Sequence, residues 1–306
     1  MNGILLLPLR ALLWLLQSLP LQLVAHLGRS IGTLAYILDA RHRRVARENI
    51  RKCLGQQLTP AEQKSLLHEH FRRLGENFAC AIKTAAMPAK ALEKVLTIGD
   101  LSSFPDRSQP HAPPNIIVAL GHFGNFELFS RVMPLLKGYR AATTYRALSP
   151  PQLNNTLLNL RQSHDCRFFE RRTDSAELRS ALQDGGWTLG LLSDQHGGRS
   201  GLLGPFLGHT CSTTTAPAVL ALRYQSTLLT AICYRTGLAR WHIEPGKEIP
   251  TRLPNGQPRE IADIVRDMNA AFETAILKDP ANWFWVHRRW KPGGKTARQA
   301  ANPQET

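Results

Sequence analysis

The sequence predicts an α/β fold in which a mostly parallel central sheet is flanked by helices. The first observation is that short apolar segments rich in β-branched residues alternate with amphipathic segments, a pattern typical of a parallel sheet covered on both faces. The second is that the segment 115–120 is apolar almost throughout, as in a strand buried on both sides. The predicted strands are 115–120, 140–146, 167–170, 187–193 and 227–235, with 240–245 as an edge strand. The predicted helices among and after them are 126–137, 150–163, 174–184, 213–225 and 260–278.

The amino-terminal segment is strongly apolar. Residues 3–28 are dominated by leucine, and Arg10 is their one charged residue. A secretory signal is excluded because no A-x-A cleavage site follows and a second apolar run comes after it. The segment is of marginal length for a spanning helix, with Pro8 and Pro20 as kinks. We therefore predict a helical membrane anchor or interfacial hairpin over residues 1–40, with an ordinary buried helix as the alternative.

The rest of the chain is predicted to be one domain, residues 41–292, followed by a disordered polar tail, 293–306. The cluster Arg41-His42-Arg43-Arg44 directly follows the apolar segment, as is typical of the cytoplasmic side of a membrane. Thr59-Pro60-Ala61-Glu62 is a capping box that predicts the start of a helix.

The overall charge restricts the class of partner. The chain has 306 residues with 38 Lys and Arg against 23 Asp and Glu, a net charge of +15. Such a charge indicates an anionic partner. No basic sequence with interleaved aromatic residues and no zinc-finger spacing is present, so nucleic acid is disfavoured. A membrane surface or an acidic carrier protein is favoured instead.

The stretch Gly121-His122-Phe123-Gly124-Asn125-Phe126-Glu127 is the strongest candidate for a catalytic site. It follows strand 115–120, so His122 is expected at the carboxyl end of a core strand, where ligands bind in open α/β sheets. A histidine held by a carboxylate can act as a general base, and Glu127 is the carboxylate nearest in sequence. The alternative is a histidine that only caps the helix or bonds a backbone carbonyl.

Polar residues follow three other predicted strands at the same edge of the sheet. Arg146 and Arg171 can bind phosphate or stabilise an oxyanion, although either could form a surface ion pair. Asp194 and Gln195 open a glycine-rich loop, which they could hold in place, or they could contact substrate. No H-E-x-x-H cluster or G-x-S-x-G elbow is present, which argues against a metal hydrolase or a serine hydrolase, and no metal site is predicted.

Several motifs in order along the chain carry a resemblance to a known family. They are His122-x4-Glu127, Tyr145-Arg146, Asp194-Gln195 with Gly204-Pro205-Phe206-Leu207-Gly208, and the tail Trp283-Phe284-Trp285-Val286-His287-Arg288-Arg289-Trp290-Lys291. Through these motifs and their order, the chain resembles the lipid A late acyltransferases, the bacterial lauroyl and myristoyl transferases. The resemblance implies a glycerolipid acyltransferase-like fold.

The same resemblance implies a function. A fatty acyl group would pass from acyl carrier protein, with no further cofactor, to a hydroxyl of an anionic lipid A precursor at the cytoplasmic face of the inner membrane of a Gram-negative bacterium. His122 would be the general base and Glu127 its orienting partner. The residues predicted to bind substrate are Asn125, Arg146, Arg171, Asp194 and Gln195. The loop at His196 departs from the family pattern, which leaves another glycolipid or phospholipid acceptor as the alternative, and a non-catalytic membrane adaptor is the alternative from another class.

Overall fold

A seven-stranded sheet in the order β1-β9-β8-β2-β5-β3-β4 forms the centre of the computed structural model, which describes residues 7–101, 104–136, 138–161 and 165–291. Strands β2, β3, β4, β5 and β8 are mutually parallel, β9 is antiparallel to β8, and β1 is parallel to β9. The strands are β1 (Leu96–Ile98), β2 (Asn115–Leu120), β3 (Arg140–Tyr145), β4 (Cys166–Glu170), β5 (Trp187–Leu192), β8 (Thr227–Gly237) and β9 (Arg240–Pro245). A separate antiparallel hairpin pairs β6 (Leu202–Phe206) with β7 (His209–Thr213). The predicted fold of a mostly parallel sheet flanked by helices is confirmed.

Helices flank this sheet and bury two apolar clusters, one on each face. They are α1 (Leu7–Ser18), α2 (Leu21–Leu38), α3 (Ala40–Leu54), α4 (Pro60–Ala85), α5 (Ala89–Leu92), α6 (Phe129–Val132), α7 (Pro151–Arg161), α8 (Ser175–Asp184), α9 (Ala216–Arg223) and α10 (Ile261–Lys278). All six residues of β2 are buried, as expected for a central parallel strand covered on both faces. The predicted capping box at Thr59 is confirmed and begins α4.

Helix α2 packs closely on α4 through glycines. A Cβ atom added to Gly32 would lie 2.1 Å from the backbone oxygen of Phe71, and one added to Gly75 would lie 2.1 Å from that of Gly28. At this crossing Arg29 donates to the fully buried carboxylate of Glu76. The amino-terminal helices are therefore packed against the same body that carries the sheet.

The other side of α1 and α2 presents apolar side chains to solvent. The exposed residues are Leu7, Leu12, Trp14, Leu15, Leu23, Leu27, Ile31, Leu34, Ile37 and Leu38. Pro20 separates the two helices, so the predicted kink there is a complete break. Among the described residues, no helix combines the length and the apolar composition that crossing a bilayer would require. The predicted tail 293–306 lies outside the described residues.

Three local predictions differ from the structure. Residues 126–137 were predicted as one helix, but a 3₁₀ turn (Phe126–Leu128), α6 and a second 3₁₀ turn (Met133–Leu135) take its place. Pro134 lies in the second turn and has no N–H for a continued helix. Strand β9 is not at the edge, because the three-residue strand β1 pairs outside it. Hairpin β6–β7 was missed, since Gly204 and Pro205 indicate a loop.

Candidate active site

The carboxyl ends of β2, β3, β4 and β5 meet at one edge of the sheet, beside a cavity of about 610 Å³. This is the edge at which open α/β sheets bind ligands. The charged or polar side chains that the sequence singled out and that line the cavity are His122, Glu127, Arg146, Arg171 and Gln195. Most of the candidate residues predicted from the sequence therefore lie at one site.

His122 is held by Asp194. Its Nδ1 lies 2.7 Å from Asp194 Oδ1, and its backbone N–H donates to Oδ2 over 2.9 Å. The sheet register explains the contact, because Leu120 pairs with Leu192 and each of the two residues lies two positions beyond that pair. The indole N–H of Trp283 donates to the same Oδ2 over 2.8 Å. The carboxylate thus accepts three hydrogen bonds and fixes the imidazole at the cavity wall.

The electrostatics of this pair favour an ionised acid and a defined histidine tautomer. Asp194 is completely buried, and burial by itself would raise the pKa of its carboxyl group. The charge of His122 and the hydrogen bonds from His122 and Trp283 outweigh burial and hold that pKa below its usual value. An ionised Asp194 requires a proton on His122 Nδ1, so that in the neutral imidazole the lone pair is on Nε2. Gln195 Nε2 lies 3.4 Å from that atom.

Glu127 is not the partner of His122, which corrects the prediction. Its carboxylate forms a two-armed ion pair with Arg161 of α7, in which Arg161 Nε donates to Oε2 over 2.9 Å and Nη2 contacts Oε1. The physical reason is the 3₁₀ turn at Phe126–Leu128, which replaces the expected first α-helical turn, so that Glu127 meets α7. Glu127 and Arg161 nevertheless line the same cavity as His122.

Asn125 does not line this cavity but a small recess that His122 also lines, and its predicted role in substrate binding stays a prediction. The side chain is buried, and its Nδ2 donates to Thr84 Oγ1 over 3.2 Å. Its Oδ1 is buried and has no hydrogen-bond partner among the residues that the structure describes. The tight backbone turn at Gly124, with φ of 51°, directs Asn125 towards α4.

Two arginine side chains, Arg146 and Arg171, line the cavity. Arg146 follows β3 and Arg171 follows β4, and Arg171 N–H donates to the carbonyl of Tyr145 over 3.0 Å, which keeps the two strand ends together. Within the described ranges neither guanidinium forms an ion pair, and both are exposed. One wall of the cavity is therefore positively charged. In the same described ranges, no cluster of three or more metal-ligating side chains is found.

The carboxyl-terminal motif, residues 283–291, packs behind the site and helps to hold its side chains in place. Trp283 and Trp285 are buried and therefore pack inside the protein. Phe284 and Phe126 flank the His122 ring, with centroid distances of 5.6 and 4.8 Å. Burial lowers the pKa of His287 to about 4, so it is neutral at physiological pH, and its Nε2 accepts from the backbone N–H of His196. The sequence signal that could have indicated these contacts is the spacing of aromatic and basic residues in this motif.

Comparison with known proteins identifies the family of this chain. The sequence profile of the family described as "Bacterial lipid A biosynthesis acyltransferase" matches residues 8–292. A lipid A biosynthesis palmitoleoyltransferase of Escherichia coli (strain K12) is 28 % identical over 289 residues, covering 91 % of this chain and 88 % of the relative. A lipid A biosynthesis acyltransferase of Shigella flexneri matches with the same identity and coverage. The resemblance noted in the sequence is confirmed: this chain belongs to the bacterial lipid A biosynthesis acyltransferase family and is an enzyme that transfers acyl groups.

Proposed function

We propose that the protein transfers a fatty acyl group from the thioester of acyl carrier protein to a hydroxyl of a lipid A precursor, with His122 as the general base. The observation that carries the proposal is the hydrogen bond between His122 Nδ1 and the buried Asp194, which leaves Nε2 as the proton acceptor at the cavity wall. A histidine held in this way is the arrangement that activates a hydroxyl nucleophile.

The chemistry needs a single proton relay. His122 Nε2 takes the proton of the acceptor hydroxyl while the hydroxyl oxygen forms a bond to the thioester carbonyl carbon. The carbon–sulfur bond of the resulting tetrahedral intermediate breaks, and the leaving thiolate of the carrier takes the proton from the imidazolium. Asp194 stabilises that imidazolium without taking a proton. The incoming hydroxyl replaces the 3.4 Å contact between Gln195 Nε2 and His122 Nε2.

The positive wall supports an anionic acceptor. Arg146 and Arg171 follow neighbouring strands and line the cavity with unpaired guanidinium groups in the described structure. A guanidinium presents a planar fork of donors that fits phosphate oxygens, and a lipid A precursor carries phosphate groups. Arg146 is also the candidate for stabilising negative charge on the thioester oxygen. The acidic carrier protein would be drawn to the +15 chain by long-range attraction.

The exposed apolar face of α1 and α2 supports attachment to a membrane surface. Trp14 on α1 is 68 % exposed and Leu38 at the end of α2 is 70 % exposed, which is unusual for apolar side chains of this size unless the surface is covered by another apolar phase. The exposed Arg41 and Arg44 follow directly, where they can meet anionic headgroups. We place this face on the cytoplasmic surface of the inner membrane, where both substrates are accessible.

The test is replacement of His122 by alanine in the purified full-length protein, with acyl-carrier thioester, a lipid A precursor and mass spectrometric detection of product. We expect loss of acyl transfer by a variant that remains folded, while the matched variant His209→Ala, whose histidine is half-buried and outside the cavity, keeps full activity. Transfer by the His122 variant at the wild-type rate would refute the proposed base. Transfer by the wild type to a phospholipid or another glycolipid, but not to the lipid A precursor, would refute the acceptor.

A further inference from the structure

The cavity has an apolar extension that runs from His122 along one face of the sheet. Leu120, Thr143 and Phe168 line it from strands β2, β3 and β4. Phe129 and Met133 line it from the broken helical segment that follows the His122 motif. Leu120, Phe129 and Met133 are at most 5 % exposed although they border the cavity, so the extension is a narrow slot.

A glycine of the sheet lies behind two of the side chains that line the slot. Gly190 of β5 pairs with Val118 on one side and with Thr143 on the other, and Thr143 pairs in turn with Phe168. A Cβ atom added to Gly190 would lie 2.8 Å from Leu120 Cδ1 and 2.9 Å from Met133 Sδ. The side chains of Leu120 and Met133 therefore rest directly on the glycine and close the slot at this level of the sheet.

The register gives the depth of the slot. Gly190 lies level with Val118, four residues before His122. At a strand rise of about 3.3 Å per residue, the reacting end and the closed end are roughly 13 Å apart. An extended alkyl chain advances about 1.25 Å per carbon, from the usual carbon–carbon bond length and angle. The slot therefore accommodates roughly ten carbons beyond the reacting carbonyl.

We propose that this slot binds the acyl chain of the donor and that Met133, resting on Gly190, sets the length of the chain that is transferred. The inference rests on the proposed function and adds its specificity-determining residues. A chain that is too long meets the Met133 thioether, and a chain that is too short leaves apolar surface unfilled. In a hydrophobic pocket one excess or missing methylene changes the rate by about tenfold or more.

Two reciprocal substitutions test the proposal in the full-length protein. Met133→Ala removes three side-chain heavy atoms from the closed end, so the preferred donor should lengthen by about two carbons. Gly190→Ala pushes the ends of Leu120 and Met133 into the slot, so the preferred donor should shorten by about two carbons. The measurement is the rate of transfer from carrier thioesters of saturated even-numbered chains, octanoyl to palmitoyl, with the product identified by mass.

Matched controls keep the outcome interpretable. Val132→Ala makes a similar truncation in the neighbouring buried residue, which does not border the cavity, and Gly204→Ala adds a methyl group where no atom lies within 4 Å. Both controls should keep the wild-type preference. Active Met133 and Gly190 variants with the wild-type chain-length profile would overturn the slot while leaving the proposed function intact. If one of the two variants does not fold, the other one decides: the preferred chain should be longer for Met133→Ala and shorter for Gly190→Ala. No transfer by the wild type from any donor would instead remove the proposed function itself.

Discussion

Replacement of Asp194 by asparagine probes the centre of the site with the smallest change of shape. The carboxylate oxygen Oδ2 accepts hydrogen bonds from the His122 backbone N–H and from Trp283 Nε1, whereas Oδ1 accepts from His122 Nδ1. In asparagine the remaining oxygen keeps the two donors at the Oδ2 position, so the amide nitrogen points at Nδ1. Nδ1 must then be unprotonated, and the proton moves to Nε2, the atom that has to accept the proton of the hydroxyl.

The expected loss follows from this change of tautomer. An aspartate-to-asparagine exchange in the serine protease triad, which has the same arrangement, lowers kcat by about 10⁴-fold. For this enzyme we expect a loss of roughly 10³–10⁴-fold in kcat, equivalent to about 4–5.5 kcal/mol of activation free energy. The KM for the lipid precursor should stay unchanged, because Asp194 is fully buried and does not itself line the cavity.

The assay is steady-state acyl transfer by the purified full-length enzyme, with thermal unfolding measured on the same samples. Asp267→Asn is the matched control, because Asp267 pairs with Arg259 at the surface, away from the cavity. A folded Asp194→Asn enzyme within tenfold of the wild-type kcat would show that Asp194 does not orient the base. A loss confined to KM would likewise contradict the reasoning.

Three further predictions concern stability, each measured by thermal or denaturant unfolding. Gly75→Val should destabilise the protein by about 1–3 kcal/mol or more, since its Cβ would meet the backbone of Gly28, and an unchanged midpoint would show that α2 does not pack as described. Glu76→Ala should cost about 3–5 kcal/mol because it takes the carboxylate partner from Arg235 and leaves Arg29 with Glu69 alone, and a change below about 1 kcal/mol would contradict this role. Burial lowers the pKa of His70 to about 4, so the unfolded chain binds more protons between about pH 4 and 6.5. His70 should therefore contribute a fall in stability of about 2 kcal/mol from pH 7 to pH 5, and His70→Asn should remove that part of the dependence, with an unaltered slope as the refuting result.

The strands of the sheet could be predicted because their signal is local. Segment 115–120 is apolar on both faces, and the structure has β2 at Asn115–Leu120. The other predicted strands end within two residues of the observed ones. The short strand β1 could not be predicted, since three residues carry no periodicity and its pairing with β9 depends on a segment far along the chain.

The composition of the site was only partly predictable. Parallel sheets bind ligands at the carboxyl ends of their strands. This rule correctly predicted that one cavity is lined by His122, Arg146, Arg171 and Gln195. The partner of His122 was wrong, because sequence proximity favoured Glu127 over a residue 72 positions away. Sequence periodicity could not show that the helix after His122 would break into 3₁₀ turns. Nor could it show that Glu127 would consequently form an ion pair with Arg161.

The amino-acid sequence by itself therefore determined the fold class, the family and the edge of the sheet that bears the chemistry, since these follow from local patterns and from motifs in order along the chain. The tertiary structure alone decided which acid holds His122, because strand order makes β2 and β5 neighbours and sets Asp194 beside it. It also decided the depth of the apolar slot, because Gly190 and Met133 meet only when the sheet and the segment after His122 pack together.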